Sequence, residues 1–215
     1  MNEVLTRGTR KENRTGIDTI SAFNVNYSID LKDGFPLLTT KEISWKNIVI
    51  ENLWFLSGDL HIGLLKKHDC KFWNYWADDD GYVPSAYGNF WRKFPIHGDD
   101  KLNDQVHYVL DTLQKNPNSR RMVISAWAPG NAQTSKLPPC HLLFIFNVQY
   151  DKNNEPRLCL HLTQRSCDVA LGVPYNIAGY SFLLHLFAHL SGMKVGTFGL
   201  PCSLDFNFHI GRRTV

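Results

Sequence analysis

Apolar residues recur along this chain with two spacings, an alternation that predicts strands and a helical spacing that predicts helices. Residues 17–29 carry β-branched and aromatic side chains in partial alternation, which predicts a strand that Gly34-Phe35-Pro36 ends. Residues 157–164 alternate leucines with more polar side chains, so this predicted strand has two different faces. Two further strands are predicted at 121–127 and 142–149.

A helix is predicted over residues 44–57. Ser44 is a suitable N-cap, and Gly58 a suitable end. Because the apolar residues lie on nearly all sides, we expect the helix to be buried. Glu51 then lies inside an apolar helix. It is either an exposed or locally paired carboxylate or a functional one.

Two more helices are predicted, an amphipathic one over 103–116 and a long apolar one over 175–191. Pro174 fits the first turn of the second helix and Gly192 fits its end. Residues 70–95 are aromatic and irregular, which suits either a loop packed on the core or a stacking surface for a flat ligand. With no repeat or linker, these elements predict one domain over residues 1–215, in the α/β class and of the α+β type.

The composition of the chain narrows the range of functions that it can have. The net charge is +3 and the arginines are scattered, so small anionic ligands suit the chain at least as well as a polynucleotide, and we expect no DNA binding. No apolar run approaches the ~20 residues that span a bilayer, and the N-terminus lacks a signal peptide. We therefore expect a cytoplasmic protein without membrane contact. Five cysteines without a C-x-x-C pair argue against both a disulfide framework and a zinc site, so no metal is expected.

Pro138-Pro139-Cys140-His141 holds one cysteine between a rigid turn and a predicted strand. The thiolate form of cysteine is the nucleophile, and nearby arginines would favour it. By itself the pattern leaves two interpretations open, a structural cysteine and a nucleophile. A zinc-dependent deaminase is excluded because position 143 is Leu143 and no histidine begins an H-x-E motif.

A second polar segment, Gln164-Arg165-Ser166-Cys167-Asp168, ends the two-faced strand. Arg165 and Ser166 have the side chains of phosphate ligands. Asn176, near the start of the long helix, either caps it or recognises the amide edge of a base. Together with arginines elsewhere, these residues suggest a phosphorylated heterocycle that is attacked by a thiolate.

The order of these motifs resembles that of the thymidylate synthases from about residue 5 to 198. The matching segments are Asn13-Arg14-Thr15-Gly16, Phe35 through Lys41, Glu51 through Leu56, Trp73 through Trp76, Tyr87-Gly88, Asn118 through Arg121, Pro139-Cys140-His141, Gln164 through Asp168, and Leu171 through Asn176.

The resemblance implies a large twisted mixed β-sheet covered by helices, with the sheets of two subunits packing across a homodimer. It implies reductive methylation of dUMP to dTMP, with 5,10-methylenetetrahydrofolate as donor of the one-carbon unit and of the hydride. The implied catalytic residues are Cys140, which adds to C6 of uracil, together with Glu51, Tyr87 and His141. The implied dUMP ligands are Arg14, Gln164, Arg165, Ser166, Asp168 and Asn176, with Arg120 and Arg121 donated to the partner's site. The implied folate wall consists of Trp73, Trp76, Asp168, Leu171, Gly172 and Tyr175.

The C-terminal end departs from the family pattern. The chain ends at Val215, and the family's Asp-x-His-x-Tyr run is matched here by Asn207 and His209 in place of the His and Tyr that hold the ribose. We therefore expect the C-terminal part of the family domain to be missing or altered after about residue 198. Two alternatives follow for the function: a pyrimidine nucleotide hydroxymethylase of the same superfamily, or a catalytically impaired, truncated scaffold.

Overall fold

The computed structural model describes residues 1–12, 16–133 and 135–209, with the backbone alone from 202 onward. The helices are α1 (Asn2–Arg7), α2 (Trp45–Ser57), α3 (Gly63–Lys67), α4 (Tyr87–Arg92), α5 (Gln105–Lys115) and α6 (Gly172–Leu190). The strands are β1 (Thr9–Lys11), β2 (Thr19–Ala22), β3 (Val25–Asp30), β4 (Phe94–Pro95), β5 (Leu102–Asn103), β6 (Val123–Ser125), β7 (His141–Tyr150), β8 (Pro156–Asp168) and β9 (Lys194–His209).

A mixed seven-stranded sheet forms the centre of the fold, in the order β1-β2-β9-β8-β7-β6, with β3 also pairing with β9. β8 and β9 run parallel, and the other pairs in this sheet are antiparallel. The long apolar helix α6 connects β8 to β9, as a parallel crossover requires. The predicted α/β class with a large mixed sheet covered by helices is confirmed.

The helix termini follow from local side-chain chemistry. Ser44 Oγ accepts a hydrogen bond from Asn47 N at the start of α2, and Gly58 ends this helix with φ 70°. Asp104 caps α5 in the same way through His107 N. The predicted helix over 44–57 is therefore confirmed at both ends.

Two local predictions were wrong. The strand predicted over 17–29 is divided into β2 and β3, because Asn24 adopts a left-handed φ of 56° that a regular strand does not accommodate. The region 70–95 is not wholly irregular, since it contains α4 and β4.

α2 is less buried than its composition suggests. Ile48, Trp54 and Phe55 are buried, but Trp45 and Leu53 are each 43% exposed. α6 is the better-buried helix and packs on β8 and β9, where Tyr180, Leu184 and Phe187 join the core. This packing fixes the first turn of α6 close to the end of β8 and the start of β7.

The segment after residue 198 continues the sheet. β9 pairs with β3 through Thr197–Cys202 and with β2 through Phe206–His209. Asn207 is the register partner of Ser21 in β2 and of Asp168 in β8. No helix within the described ranges is long and apolar enough to cross a membrane.

Candidate active site

Cys140 is held at the entrance to β7 by contacts of its backbone. It follows the buried Pro139 and directly precedes His141, the first residue of the strand. Its N–H donates to the Tyr87 hydroxyl at 3.1 Å, and its carbonyl accepts from Arg165 N at 2.9 Å. α4, β7 and β8 therefore fix the position of the thiol together.

The guanidinium of Arg165 lies beside this thiol. Its Nε donates to the carbonyl of Pro139 and its Nη2 to that of Pro138, each at 2.9 Å. Nη2 is also 3.6 Å from Cys140 Sγ, and the guanidinium carbon lies 5.9 Å from the ring centroid of Trp127. A cation fixed at this distance favours the thiolate over the thiol.

His141 is enclosed by aromatic side chains. The Tyr87 ring stacks on it with centroids 4.7 Å apart and planes 7° apart, and the Tyr180 hydroxyl is 3.1 Å from Nδ1. Burial lowers the pKa of His141 to about 4, while a hydrogen bond with the Asn176 side chain acts in the opposite direction. The imidazole is therefore neutral at pH 7, and burial raises the pKa of Tyr87 so that its hydroxyl also stays neutral.

Glu51 places a carboxyl group close to Tyr87. Trp73 Nε1 donates to Glu51 Oε1 at 2.7 Å, and the Trp73 ring lies edge-on to Tyr87 at 5.8 Å. Burial raises the pKa of Glu51 to about 7, although the Trp73 hydrogen bond lowers it. Such a carboxyl group can both accept and release a proton near neutral pH.

Gln164, Ser166 and Asp168 lie in the last five residues of β8, next to or near Arg165 in sequence. Gln164 is fully buried, and neither its amide oxygen nor its amide nitrogen has a hydrogen-bond partner within the described residues. Asp168 Oδ1 accepts from Ala170 N at 2.8 Å and from Leu171 N at 2.7 Å, so it shapes the turn into α6. Ser166 is half-buried two residues before it.

An aromatic surface surrounds the start of α6. The Tyr175 ring packs edge-on to Phe72 at 5.2 Å, and Leu171 is 39% exposed just before Gly172. Lys41 Nζ lies 5.5 Å from the Tyr175 centroid and donates to the Ala170 carbonyl at 3.3 Å. This surface therefore combines flat apolar area with one cation.

Comparison with known proteins identifies the scaffold. The family model described as thymidylate synthase matches residues 1–210. The chain belongs to the thymidylate synthase family. The match continues beyond residue 198, after which the sequence motifs differ from the family pattern.

Two relatives are called thymidylate synthase. The protein from Haloferax volcanii is 47% identical over 216 residues, which cover 91% of this chain and 61% of that protein. The protein from Buchnera aphidicola subsp. Acyrthosiphon pisum (strain Tuc7) is 45% identical over 196 residues, which cover 91% of this chain and 72% of that protein. The chain thus spans 61% of the length of the Haloferax volcanii protein.

Five of the predicted residues form one connected cluster in this member of the thymidylate synthase family, namely Cys140, Arg165, Tyr87, His141 and Asn176. Glu51 and Trp73 adjoin it through Tyr87. Trp76 is half-buried and packs on Tyr75 at 4.9 Å.

Arg120 and Arg121, which the sequence also predicted as ligands, are not part of this cluster. Arg120 and Arg121 are exposed before β6, and neither side chain has an ion pair or hydrogen bond among the residues that the structure describes. Arg14 lies outside the described residues, as do the side chains of Asn207 and His209. In the described ranges, no group of three His, Cys, Asp or Glu side chains is arranged to hold a metal.

Two aromatic residues of this site were not found from the sequence. Trp127 faces the Arg165 guanidinium, and Tyr180 hydrogen-bonds His141. Helical spacing offered a signal for Tyr180, which lies one turn after Asn176 on α6 and so on the same face. Trp127 gave no such signal, because its contact with Arg165 depends on how β6, β7 and β8 pair.

Proposed function

We propose that this chain catalyses the reductive methylation of dUMP to dTMP, with 5,10-methylenetetrahydrofolate as co-substrate and dihydrofolate as the second product. The observation that carries the proposal is the 3.6 Å contact between Arg165 Nη2 and Cys140 Sγ. The cluster around it also contains the carboxamide of Asn176, and it adjoins the Glu51 carboxyl group, whose pKa is about 7. Membership of the thymidylate synthase family supports the same reaction.

Nucleotide binding is assigned to the end of β8 and the start of α6. The guanidinium of Arg165 and the hydroxyl of Ser166 suit a phosphate, and Arg14 is expected to add a further cation. The carboxamide of Asn176 matches uracil, which presents one donor at N3 and one acceptor at O4. Gln164 and Asp168 complete the proposed dUMP ligands, and the buried amide of Gln164 suits a polar ligand.

Cys140 performs the nucleophilic step. Its thiolate adds to C6 of uracil, so that an S–C bond forms and the electron pair of the C5–C6 double bond moves toward O4. C5 becomes nucleophilic in the resulting enolate. Arg165 favours the attacking thiolate, and the Tyr87 hydroxyl holds the Cys140 backbone in place.

Glu51 is the proton carrier in this proposal. A carboxyl group with a pKa of about 7 exchanges protons readily at neutral pH, as removal of the C5 proton requires. His141 is neutral and tied to Asn176, which suits a hydrogen-bonding role better than that of a cation. Tyr87 joins the two because it stacks on His141 and lies against Trp73, the partner of Glu51.

The aromatic surface at the start of α6 fits a folate. Flat rings stack on such surfaces, and the Lys41 ammonium suits an anionic end of the ligand. Trp73, Trp76, Asp168, Leu171, Gly172 and Tyr175 would hold this co-substrate. When bound, it supplies the one-carbon unit and the hydride. The buried aromatic residues around Tyr87 keep water from the reacting carbon.

A homodimer completes the site in this proposal. Arg120 and Arg121 are exposed and lack partners among the described residues, which suits side chains that reach a phosphate in a second subunit. We also place the protein in the cytoplasm.

The test is an incubation of the purified chain with dUMP and 5,10-methylenetetrahydrofolate, with the products identified by mass. We expect dTMP and dihydrofolate from the wild type and neither from Cys140→Ser, which should still bind dUMP. A hydroxymethyl product would contradict the proposal in favour of the related hydroxymethylase activity. Bound dUMP without any product would identify an impaired scaffold.

A further inference from the structure

His141 is held by two residues of one helix. Asn176 and Tyr180 are four positions apart on α6, so their side chains project from the same face. The Tyr180 hydroxyl lies 3.1 Å from Nδ1 of the imidazole, and a hydrogen bond with the Asn176 side chain acts to raise the pKa of His141. The Tyr180 ring also packs edge-on to His141 at 5.2 Å, which fixes the direction from which the hydroxyl approaches.

The hydroxyl of Tyr180 carries one proton, which needs a hydrogen-bond acceptor. Tyr180 is 4% exposed, and His141 Nδ1 is its only hydrogen-bond partner in the part of the chain that the structure describes. If Nδ1 carried the imidazole proton, the phenol proton would be buried without an acceptor, at a cost of roughly 1–3 kcal/mol. If the phenol donates to Nδ1, its proton has an acceptor and this cost is avoided.

A neutral imidazole carries one N–H, so an acceptor at Nδ1 makes Nε2 the donor. We propose that Tyr180 is a positioning residue that fixes His141 as the Nε2–H tautomer and thereby sets the orientation of the Asn176 carboxamide. The burial that keeps His141 neutral supports this, because a charged ring would have no tautomer to select.

The tautomer has a consequence for base selection, which rests on the proposed function. Because Tyr180 occupies Nδ1, Nε2 is the ring nitrogen left for Asn176. An Nε2–H donor requires the carboxamide oxygen of Asn176 as its acceptor, which prevents the amide from rotating by 180°. One orientation of the amide accepts from N3–H and donates to O4 of uracil. The reversed orientation matches cytosine, which accepts at N3 and donates from its exocyclic amine. Tyr180 therefore contributes to the preference for uracil without touching the base.

The first test needs no substrate. Protein labelled with ¹⁵N-histidine reports the tautomer of each neutral imidazole by long-range ¹H–¹⁵N correlation at pH 7, and loss of a signal in His141→Gln assigns it. We expect the Nε2–H pattern for His141 in the wild type and a mixture of tautomers in Tyr180→Phe. The control Tyr108→Phe, at an exposed position of α5, should leave the His141 signals unchanged.

The second test measures binding of dUMP and dCMP by calorimetry. Loss of one buried hydrogen bond should reduce the preference of Tyr180→Phe for dUMP over dCMP by about 10-fold, while the control keeps the wild-type ratio. Thermal unfolding of each variant checks that both remain folded. A merely structural tyrosine would lower the melting temperature and leave the ratio unchanged.

Two results would overturn the proposal: an Nδ1–H pattern in the wild type, or an unchanged tautomer together with an unchanged dUMP/dCMP ratio in Tyr180→Phe. Failure of the proposed function is distinguishable from both. A wild-type chain with the Nε2–H pattern that binds neither nucleotide supports the positioning role and contradicts the assignment of the substrate.

Discussion

Arg165 on β8 reaches back to Cys140, which directly precedes the neighbouring strand β7, with Nη2 3.6 Å from Sγ and two further hydrogen bonds to the carbonyls of Pro138 and Pro139. The guanidinium therefore stabilises the turn before Cys140 by hydrogen bonds, and it also places a positive charge beside the thiol. One side chain thus supplies both geometry and electrostatics.

Replacing this cation should weaken the nucleophile. In Arg165→Gln we expect alkylation of Cys140 by iodoacetamide to require a higher pH than in the wild type, because an adjacent cation favours the thiolate. Mass spectrometry of the modified peptide distinguishes Cys140 from the other cysteines. Arg157→Gln is the matched control, since Arg157 pairs with Asp151 away from this turn. An identical pH profile in wild type and Arg165→Gln would contradict the electrostatic role.

Glu51 should make the fold less stable as the pH rises. Its pKa of about 7 in the folded chain lies above the ordinary value of 4.5, so the folded state binds more protons between these values. Stability should therefore fall as pH rises from 4.5 to 7, by at most about 3 kcal/mol from this residue. Glu51→Gln should lack that loss and be the more stable protein at pH 8. Urea unfolding at pH 5 and pH 8 measures both effects, and equal slopes would refute the assignment.

The Trp73 hydrogen bond should shift that pH range. Because this bond lowers the pKa of Glu51, Trp73→Phe should raise it further and move the loss of stability to higher pH. The same urea series tests this, with Trp76→Phe as the control because Trp76 packs on Tyr75 instead. A shift in the opposite direction would mean that the indole does not stabilise the carboxylate.

Mixing two inactive variants should restore activity if Arg121 acts in the partner's site. Random heterodimers of Cys140→Ser and Arg121→Ala would contain one intact site each, so about a quarter of the wild-type activity is expected. An arginine that acts within its own subunit would leave both sites of every heterodimer defective. Activity no higher than the sum of the two variants assayed separately would therefore exclude the donated arginine.

Gly88 brings α4 close enough to α2 for Tyr87 to reach the site. A Cβ atom at position 88 would lie 2.2 Å from the Phe55 carbonyl oxygen, and a backbone atom cannot move aside cheaply. Gly88→Ala should lower the free energy of unfolding by about 3 kcal/mol or more. Gly130→Ala is the control, because a Cβ there has no atom within 4 Å. Equal denaturant midpoints for the two variants would contradict this packing.

Features of the fold could be predicted from the sequence where they depend only on neighbouring residues. Ser44 and Gly58 mark the ends of α2 because capping and a left-handed φ involve only adjacent backbone. For the same reason, the sequence Pro138-Pro139-Cys140 indicated a cysteine that a rigid turn holds in position. Asn24 escaped prediction because nothing in the alternation of residues 17–29 indicates its positive φ.

By itself, the sequence of this member of the thymidylate synthase family determined the order of its motifs and the class of its fold, and it predicted Cys140 as the reactive thiol. Only the tertiary structure decided which groups surround that thiol. The Trp127–Arg165 and Tyr180–His141 contacts join residues 38 and 39 positions apart, and strand register and helix packing create them. The pKa of Glu51 is likewise a tertiary property, since burial raises it and the Trp73 hydrogen bond lowers it.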